Sequence, residues 1–233
     1  MIEPRPFASL GAFRNEWLNA RHHFSFGGYR DANRMGFGHL RVWNDDEIAA
    51  GTGFEPHPHK DMEIVTYVRE GAITHRDNLG NEGRTEAGDV QVMHAGTGII
   101  HAEYNRETGP TRLFQIWIMP DEMGVRPGWS ARRFPASGDG LTLMASGRPE
   151  DADRGALPLY ANAAVLAGRL AAGETARLAV PRGRAVYLVP AVGEITVNGI
   201  AVNPRDGVAI HDEAEVAILA RSAAELVVVD VAA

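Results

Sequence analysis

The sequence contains no cysteine, no long hydrophobic run and no block of like charges. Without cysteine there is no disulfide, no thiolate metal ligand and no cysteine nucleophile, and a reducing compartment is expected. No segment approaches the roughly 18 apolar residues that a membrane-spanning helix needs. The stretch Met1 to Pro6 contains two prolines and two charges, with no apolar segment behind it, which is unlike a secretion signal. The sequence therefore predicts a cytoplasmic protein that does not enter a membrane.

A basic face is also missing. The net charge at pH 7 is −7 over 233 residues, and acidic and basic side chains are mixed along the chain. A nucleic-acid-binding domain would show clustered Lys and Arg, so nucleic acid is not an expected direct ligand. A chain of this length can bury a sizeable core, either as one large β domain or as two small ones.

Helical periodicity is scarce and is limited to a possible turn or two near Phe13 to Ala20. Elsewhere, short alternating or apolar runs recur between the 26 glycines and 13 prolines, which is typical of β structure. The segment Asn44 to Gly53 is interpreted as a loop, and its acidic triplet Asp45-Asp46-Glu47 as solvated. The chain as a whole is expected to be all-β.

The strand pattern stops and starts again in the second half of the chain. The segment Pro120 to Gly140 holds three prolines and four glycines, and eight further strand candidates follow between Leu141 and Val231. Asn198-Gly199 is a strong signal for a hairpin turn. We predict two tandem β-barrels, with an N-terminal domain over 1–125, a linker over 126–139 and a C-terminal domain over 140–233.

Side chains that bind metals occur in two matched pairs, His57 with His59 and His101 with Glu103. Residues two apart in a strand point to the same face, and the proline before each histidine of the first pair favours extended backbone around it. Two such strands side by side would bring three imidazoles and one carboxylate to one point. This pattern predicts a metal site, in the N-terminal barrel only, because the C-terminal half has a single histidine, His211.

The carboxylate of this site has an alternative. Glu63 has the same parity as His57 and His59, so an unbroken strand would bring it to the same face. His75 and His94 are further candidates for lining the cavity. The other histidines are interpreted as structural or surface groups; they are His22, His23, His39 and His211.

The spacing of these residues resembles the motifs of the cupin superfamily, small β-barrels that hold a metal near the barrel mouth. The first motif matches at Gly51, His57, His59 and Glu63, with Gly71 one residue later than usual. The second motif is looser. It matches at Gly88, Gly96, His101 and Asn105, but His94 stands where proline is common and two extra residues precede His101.

Longer runs are similar to the pirin family of two-cupin proteins, over about Phe24 to Pro120. They are FSFGGY, RMGFGHLRVWNDD, HPHKDMEIVTYVREGAITHRDNLGNEGRTEAGDVQVMHAGTGIIHAEYN and LFQIWIMP. This resemblance implies a metal-free second cupin and a metal held by His57, His59, His101 and Glu103. It also implies quercetin 2,3-dioxygenase activity for the bacterial members, and transcriptional co-regulation for the eukaryotic ones.

Imidazole and carboxylate ligands suit Fe(II), Mn(II), Co(II), Ni(II) or Zn(II), and the resemblance favours iron(II). The expected reaction is cleavage of a flavonol such as quercetin by dioxygen, with Glu103 as ligand and general base. Four phenylalanines are candidates for an apolar wall; they are Phe24, Phe26, Phe37 and Phe54. The alternatives are an iron-binding redox sensor that acts through a protein partner, and a cupin isomerase or sugar-binding protein.

Overall fold

The computed structural model describes residues 1–134 and 140–233, which form β-strands and two three-residue 3-10 helices, Phe7–Ser9 and Pro149–Asp151. The strands make two seven-stranded and two four-stranded sheets, and each barrel contains one sheet of each size. The predicted all-β fold of two tandem barrels is confirmed. No helix in the described ranges is long and apolar enough to cross a membrane.

The N-terminal barrel pairs a seven-stranded sheet with the four-stranded sheet that holds the predicted ligands. Its strands are β2 (Gly11–Arg14), β3 (Leu18–His22), β4 (Leu40–Ile48), β5 (Gly53–His59), β6 (Glu63–Glu70), β7 (Ala72–Asp77), β8 (Glu82–Glu86), β9 (Val90–His94), β10 (Ile99–Tyr104), β11 (Thr111–Ile118) and β12 (Gly128–Arg132). The strand orders are β12-β9-β6-β11-β4-β3-β2 and β5-β10-β7-β8.

The C-terminal barrel repeats this plan, and its large sheet takes its first strand from the beginning of the chain. Its strands are β1 (Ile2–Arg5), β13 (Leu141–Ser146), β14 (Leu157–Pro158), β15 (Ala163–Leu170), β16 (Thr175–Ala179), β17 (Arg184–Val192), β18 (Ile195–Val197), β19 (Ile200–Val202), β20 (Gly207–His211), β21 (Glu215–Ala220) and β22 (Ala224–Ala232). The orders are β1-β20-β17-β22-β15-β13-β14 and β16-β21-β18-β19. The predicted turn Asn198-Gly199 joins β18 to β19, with φ of 45° and 84°, as a type I′ turn requires.

The two large sheets pack face to face and share one hydrophobic core. Trp43 of β4 lies 5.3 Å from Phe114 of β11 and 5.6 Å from Tyr187 of the C-terminal barrel, between ring centroids. All three are fully buried. Because side chains alternate along a strand, the opposite face of the same N-terminal sheet lines the interior of its barrel. One sheet thus supplies both the contact between the barrels and a wall of the metal-binding barrel.

Two local interpretations of the sequence are wrong. The predicted helical turns near Phe13 to Ala20 are the strands β2 and β3. The predicted loop at Asn44 belongs to β4 as far as Ile48. In both places pairing with neighbouring strands, which a local pattern does not contain, decides the structure.

The acidic residues of β4 are also buried rather than solvated, with Asp45 at 0% and Asp46 at 2% exposure. Asp45 faces the C-terminal barrel and accepts hydrogen bonds from Arg69 and, at 2.5 Å, from Arg205. This pairing neutralises its charge across the interface. Asp46 points to the opposite face, into the N-terminal barrel.

Part of the predicted linker 126–139 is a strand. β12 pairs with β9, with Trp129 opposite Met93, while residues 135–139 lie outside the described ranges. The Trp129 ring occupies the space beside Gly83, where an added Cβ would lie 2.2 Å from the ring. The domain limits at 125 and 140 stay a prediction, but this segment contributes a side chain to the N-terminal barrel.

Candidate metal centre

The two predicted ligand pairs lie on neighbouring antiparallel strands. His101 of β10 stands directly opposite His57 of β5, and Ile99 stands opposite His59. After His101 the register with β5 shifts, because the step from His57 to Phe54 on β5 matches the shorter step from His101 to Glu103 on β10. β10 keeps a regular register with β7, where Glu103 stands opposite His75. His101 and Glu103 therefore share one face of β10, and the structure brings the three histidines together with Glu103 beside them.

The three imidazoles form a compact cluster. One ring nitrogen each from His57, His59 and His101 lies within 4.8 Å of the others, and the ring centroids are 4.5 to 5.0 Å apart. An ion about 2.1 Å from each nitrogen would hold them within about 4.2 Å of one another, so small ring rotations suffice. In the described ranges, all clusters of this kind lie in the N-terminal barrel.

The imidazoles are poised as neutral ligands. Burial, followed by the charge of His57, lowers the pKa of His59 to about 4. Burial, followed by the charges of His57 and His59, lowers the pKa of His101 to about 2. Only the neutral ring offers a lone pair to a metal. The Nε2 atom of His101 is buried without a hydrogen-bond partner in the described residues, and a metal ion would satisfy it.

The hydrogen bond of His57 fixes which of its nitrogens is free. Its Nδ1 lies 2.7 Å from the backbone oxygen of Glu55. A carbonyl can only accept, so Nδ1 carries the proton and donates it. The lone pair of His57 is consequently on Nε2, the usual outcome for a histidine prepared to bind a metal.

A chain of hydrogen bonds through Asp77 and His75, which we call the relay, fixes which nitrogen of His101 carries the lone pair. His75 Nε2 lies 2.9 Å from a carboxylate oxygen of Asp77, and His75 Nδ1 lies 3.4 Å from His101 Nδ1. Asp77 accepts the Nε2 proton of His75, so His75 Nδ1 accepts from His101 and leaves His101 Nε2 with the lone pair. Trp129 stacks on His75 at 4.9 Å and 7° between ring planes. His75 therefore acts behind His101 and is not part of the cavity wall.

Asp77→Asn is expected to weaken metal binding about 10- to 100-fold. The backbone N–H groups of Leu79 and Asn81 bond Oδ1 of Asp77, so an asparagine would keep its oxygen there and turn its NH₂ towards His75. The side-chain amide of Asn81, which donates to Oδ2 in the parent, would turn over and accept from the new NH₂. That donor reverses the relay and puts the proton of His101 on Nε2. A competition titration with a chelator measures the change.

The control is Asp121→Asn, because Asp121 also contacts a histidine, His39 at 3.3 Å, away from the cluster. This variant should bind metal like the parent. Equal affinity in Asp77→Asn and Asp121→Asn would show that the relay does not set the His101 tautomer.

Glu103 is buried and held by two amides. Its oxygens accept hydrogen bonds from Gln91 and, at 2.8 Å, from Gln115. The indole N–H of Trp117 lies 3.1 Å from the side-chain oxygen of Gln115. Because an indole N–H can only donate, this contact fixes which end of the Gln115 amide faces Trp117 and which faces Glu103. Burial raises the pKa of Glu103 to about 7, against the lowering effect of these hydrogen bonds. Glu103 clusters with His75 and His101 and stands beside the three-histidine group.

Glu63 lies elsewhere. β5 ends at His59, the chain turns at Asp61 with a φ of 47°, and β6 begins at Glu63 in the other sheet. The alternation of side chains along β5 therefore does not extend to Glu63, which does not share a strand face with His57 and His59. The Glu63 carboxylate accepts from His94 Nδ1 at 2.6 Å and from the backbone N–H of Tyr160 at 3.1 Å. Neither described cluster includes Glu63, so the geometry favours Glu103, although the ligand assignment stays a prediction.

A cavity of about 650 Å³ opens beside the histidines, a volume typical of sites for small ligands. His57 and His59 are in its wall. Five Phe, Tyr or Trp side chains line it; they are Trp17, Phe26, Phe54, Tyr104 and Trp117. Of the phenylalanines proposed from the sequence, Phe26 and Phe54 line the cavity, while Phe24 and Phe37 pack in the core between the barrels.

Three polar residues that β3 and β4 contribute to the cavity wall were missed in the sequence. They are His22, Asn44 and Asp46. His22 was interpreted as structural or surface, and the other two as loop residues. The alternation of Asn44 and Asp46, with Trp43 and Asp45 on the other face, is the signal that a strand interpretation would have used.

Known proteins resemble the chain over its whole length. Residues 5–118 match the family model described as Pirin, and residues 143–231 match the one described as Quercetinase C-terminal cupin domain. A pirin-like protein of Caulobacter vibrioides is 58% identical over 235 residues, covering 100% of both chains. A protein of Escherichia coli K12 named quercetin 2,3-dioxygenase is 42% identical over 231 residues, covering 99% of this chain and 98% of that one. The crystal structure of a bacterial pirin from Escherichia coli in complex with nickel(II) has a TM-score of 0.93 at 41% identity, covering 100% of this chain and 99% of that chain.

Proposed function

This chain belongs to the pirin family, and we propose that it is a metal-dependent quercetin 2,3-dioxygenase, which cleaves flavonols with dioxygen. One observation carries the proposal: His57 and His59 belong both to the histidine cluster and to the wall of the aromatic cavity. A flat substrate in the cavity therefore lies against the groups that would hold the metal. The relative from Escherichia coli that is named for this activity supports the assignment.

The proposed ligands are His57, His59 and His101, with Glu103 as the carboxylate. Imidazole and carboxylate without sulfur suit several divalent first-row metals. Iron(II) is our expectation, and the related crystal structure holds nickel(II). A metal bound here would supply Lewis acidity that lowers the pKa of the flavonol 3-hydroxyl.

Glu103 is the proposed general base. Burial raises the pKa of Glu103, which makes its carboxylate a stronger proton acceptor than an exposed one. Gln91 and Gln115 hold both of its oxygens, so a carboxylate that accepts the 3-hydroxyl proton stays in one place. Glu103 would serve as ligand and as base, which requires its bond to the metal to be weak.

The cavity wall would position the rings and keep water out. Phe26 and Trp117 contact each other with centroids 5.4 Å apart, and both face the cavity. Stacking on such rings and desolvation both favour a flat aromatic substrate. The reaction consumes one flavonol and one dioxygen and releases one carbon monoxide, and the remaining atoms form the ring-opened ester.

Carbon monoxide release from quercetin under air tests this function. The metal-loaded protein should consume flavonol and dioxygen and release carbon monoxide in a 1:1:1 ratio, because both atoms of dioxygen end in the ester. The same protein stripped of metal by a chelator should release none. A fully metal-loaded protein that releases no carbon monoxide would overturn the proposal and leave the redox sensor with a protein partner as the leading alternative.

A further inference from the structure

The cavity has a second polar region, formed by His22, Asn44 and Asp46, which we name the distal polar patch. His22 of β3 stands directly opposite Asn44 of β4, and Asp46 lies two residues further on the same face of β4. The patch is therefore built on paired strands of the large sheet, whereas the histidine cluster is built on the small sheet.

Asp46 is the member of this patch with a buried oxygen that lacks a hydrogen-bond partner among the described residues. Its side chain is 2% exposed, and its Oδ1 is buried without a hydrogen-bond partner in the described part of the chain. Its neighbour Asp45 pairs with Arg69 and Arg205, while the described ion pairs include none for Asp46. A buried carboxyl group without a hydrogen bond is costly, and structures that retain one usually have a use for it.

The other two members satisfy each other. His22 Nδ1 lies 2.8 Å from the side-chain oxygen of Asn44, which fixes both side chains. Burial, followed by the charges of Asp45 and Glu103, raises the pKa of Asp46, because each of these disfavours the ionised form. Asp46 lies in the cavity wall, where a bound ligand can supply a hydrogen-bond partner.

A continuous row of rings joins the patch to the histidine cluster. His22 contacts Phe26 at 5.4 Å, Phe26 contacts Trp117 at 5.4 Å, and Trp117 contacts His59 at 4.9 Å, all between centroids. These rings cover one side of the surface between the two polar regions, while Gln115, which stands opposite Asn44 and donates to Glu103, also lies in the cavity wall. This surface matches an extended flat ligand with one polar group at the histidines and another at its remote edge.

We propose that Asp46 is a specificity-determining residue that accepts a hydrogen bond from a phenolic hydroxyl remote from the 3-hydroxyl of the flavonol. This inference deepens the proposed function, and rests on it for the ligand class. It assigns to the site a preference for flavonols that carry further hydroxyls over those that lack them. A site that hydrogen-bonds a substrate hydroxyl discriminates strongly against the analogue without it, since its own buried polar group is then left unpaired.

Anaerobic binding tests the preference without turnover. The metal-loaded protein is titrated under argon with quercetin, with galangin, which lacks hydroxyls on the pendant phenyl ring, and with 3-hydroxyflavone, which lacks all but the 3-hydroxyl. Tryptophan fluorescence reports binding, because Trp117 lines the cavity. Quercetin should bind about 10- to 100-fold more tightly than 3-hydroxyflavone. If galangin binds as weakly as 3-hydroxyflavone, Asp46 contacts the pendant phenyl ring, and if it binds as tightly as quercetin, Asp46 contacts the fused ring. Equal affinity for quercetin and 3-hydroxyflavone overturns the proposal without any variant.

Substitution assigns the preference to Asp46. Asp46→Leu keeps a similar volume and should bind quercetin and 3-hydroxyflavone equally, whereas Asp46→Asn, whose amide oxygen still accepts, should retain part of the difference. The control is Glu47→Gln, the next residue on the opposite face of β4, where Glu47 pairs with Arg112 at 2.6 Å. Glu47→Gln should keep the full preference. A preference that survives in folded Asp46→Leu contradicts the assignment.

The two proposals fail in different ways. If binding depends on the remote hydroxyls but no carbon monoxide forms under air, the dioxygenase assignment fails and the role of Asp46 stands. If carbon monoxide forms while quercetin, galangin and 3-hydroxyflavone bind with equal affinity, the role of Asp46 fails and the dioxygenase stands. If no flavonol binds, both are wrong.

Discussion

Glu103→Gln is expected to lower flavonol oxygenation about 10²-fold or more, the range for loss of a positioned general base. The substitution keeps the size of the side chain and removes its charge and its proton-accepting oxygen. It can be accommodated, because Gln91 can turn its oxygen towards the new amide while Thr85, now 2.9 Å from that oxygen, accepts instead of donating. Metal content should fall only modestly, since three imidazoles remain. Steady-state turnover and elemental analysis on the same preparation measure both effects.

The matched control is Glu63→Gln, the other carboxylate that the sequence offers. Glu63 bonds His94 and the backbone of Tyr160, so its loss should reduce turnover much less than the loss of Glu103. The reverse ranking, with Glu63→Gln inactive and Glu103→Gln near normal, would assign the carboxylate to Glu63.

His101→Ala is expected to abolish metal retention while the β fold persists. His101 is the most buried of the three clustered histidines, and its Nε2 has no protein partner among the described residues. The hydrophobic clusters of both barrels contain neither His101 nor the other two histidines, so the fold should tolerate the loss of the site. His57→Ala should behave in the same way. Elemental analysis after purification, with circular dichroism for the fold, gives the result.

His94→Ala is the comparison for this experiment, because His94 is also a buried histidine of the same barrel but pairs with Glu63 outside the cluster. It should retain the metal. Loss of soluble expression in both His57→Ala and His101→Ala would mean that the site is structural, and retained metal in His101→Ala would remove it from the ligand set.

Periodicity predicts that His57 and His59 share one face of a strand, and the pairing of two strands completes the histidine cluster. Residues two apart share a face of a strand, and the structure pairs His101 with His57 across two such strands. The same rule failed for Glu63, because the turn at Asp61 separates it from β5 and moves it into another sheet. Odd or even spacing predicts a shared face only within one strand, and the sequence does not clearly mark the turn between β5 and β6.

The distal polar patch could not be found in this way. Asn-Asp-Asp-Glu is typical of an exposed loop, yet in β4 one face of this run meets Arg69 and Arg205 and the other faces the cavity. Those partners come from distant parts of the chain. A polar run in a strand interior becomes interpretable only when the tertiary partners that stabilise it are known.

The supporting side chains of the metal centre were missed for a related reason. Trp129 comes from a segment that resembles a linker, and it reaches His75 only because β12 joins the large sheet and Gly83 leaves room for its ring. Asp77 is the last residue of β7 and gave no signal of its own. Such groups orient ligands through side-chain contacts, which spacing in the sequence does not encode.

Reconstitution with metal tests the central claim most directly. Metal-free protein is titrated with iron(II) under argon, and each sample is then mixed with quercetin and air while carbon monoxide is measured. We expect carbon monoxide release to rise in proportion to added metal and to level off at one ion per chain, with no release from His101→Ala at any point. Release that does not depend on metal, or one bound ion per chain with no release, would contradict the account.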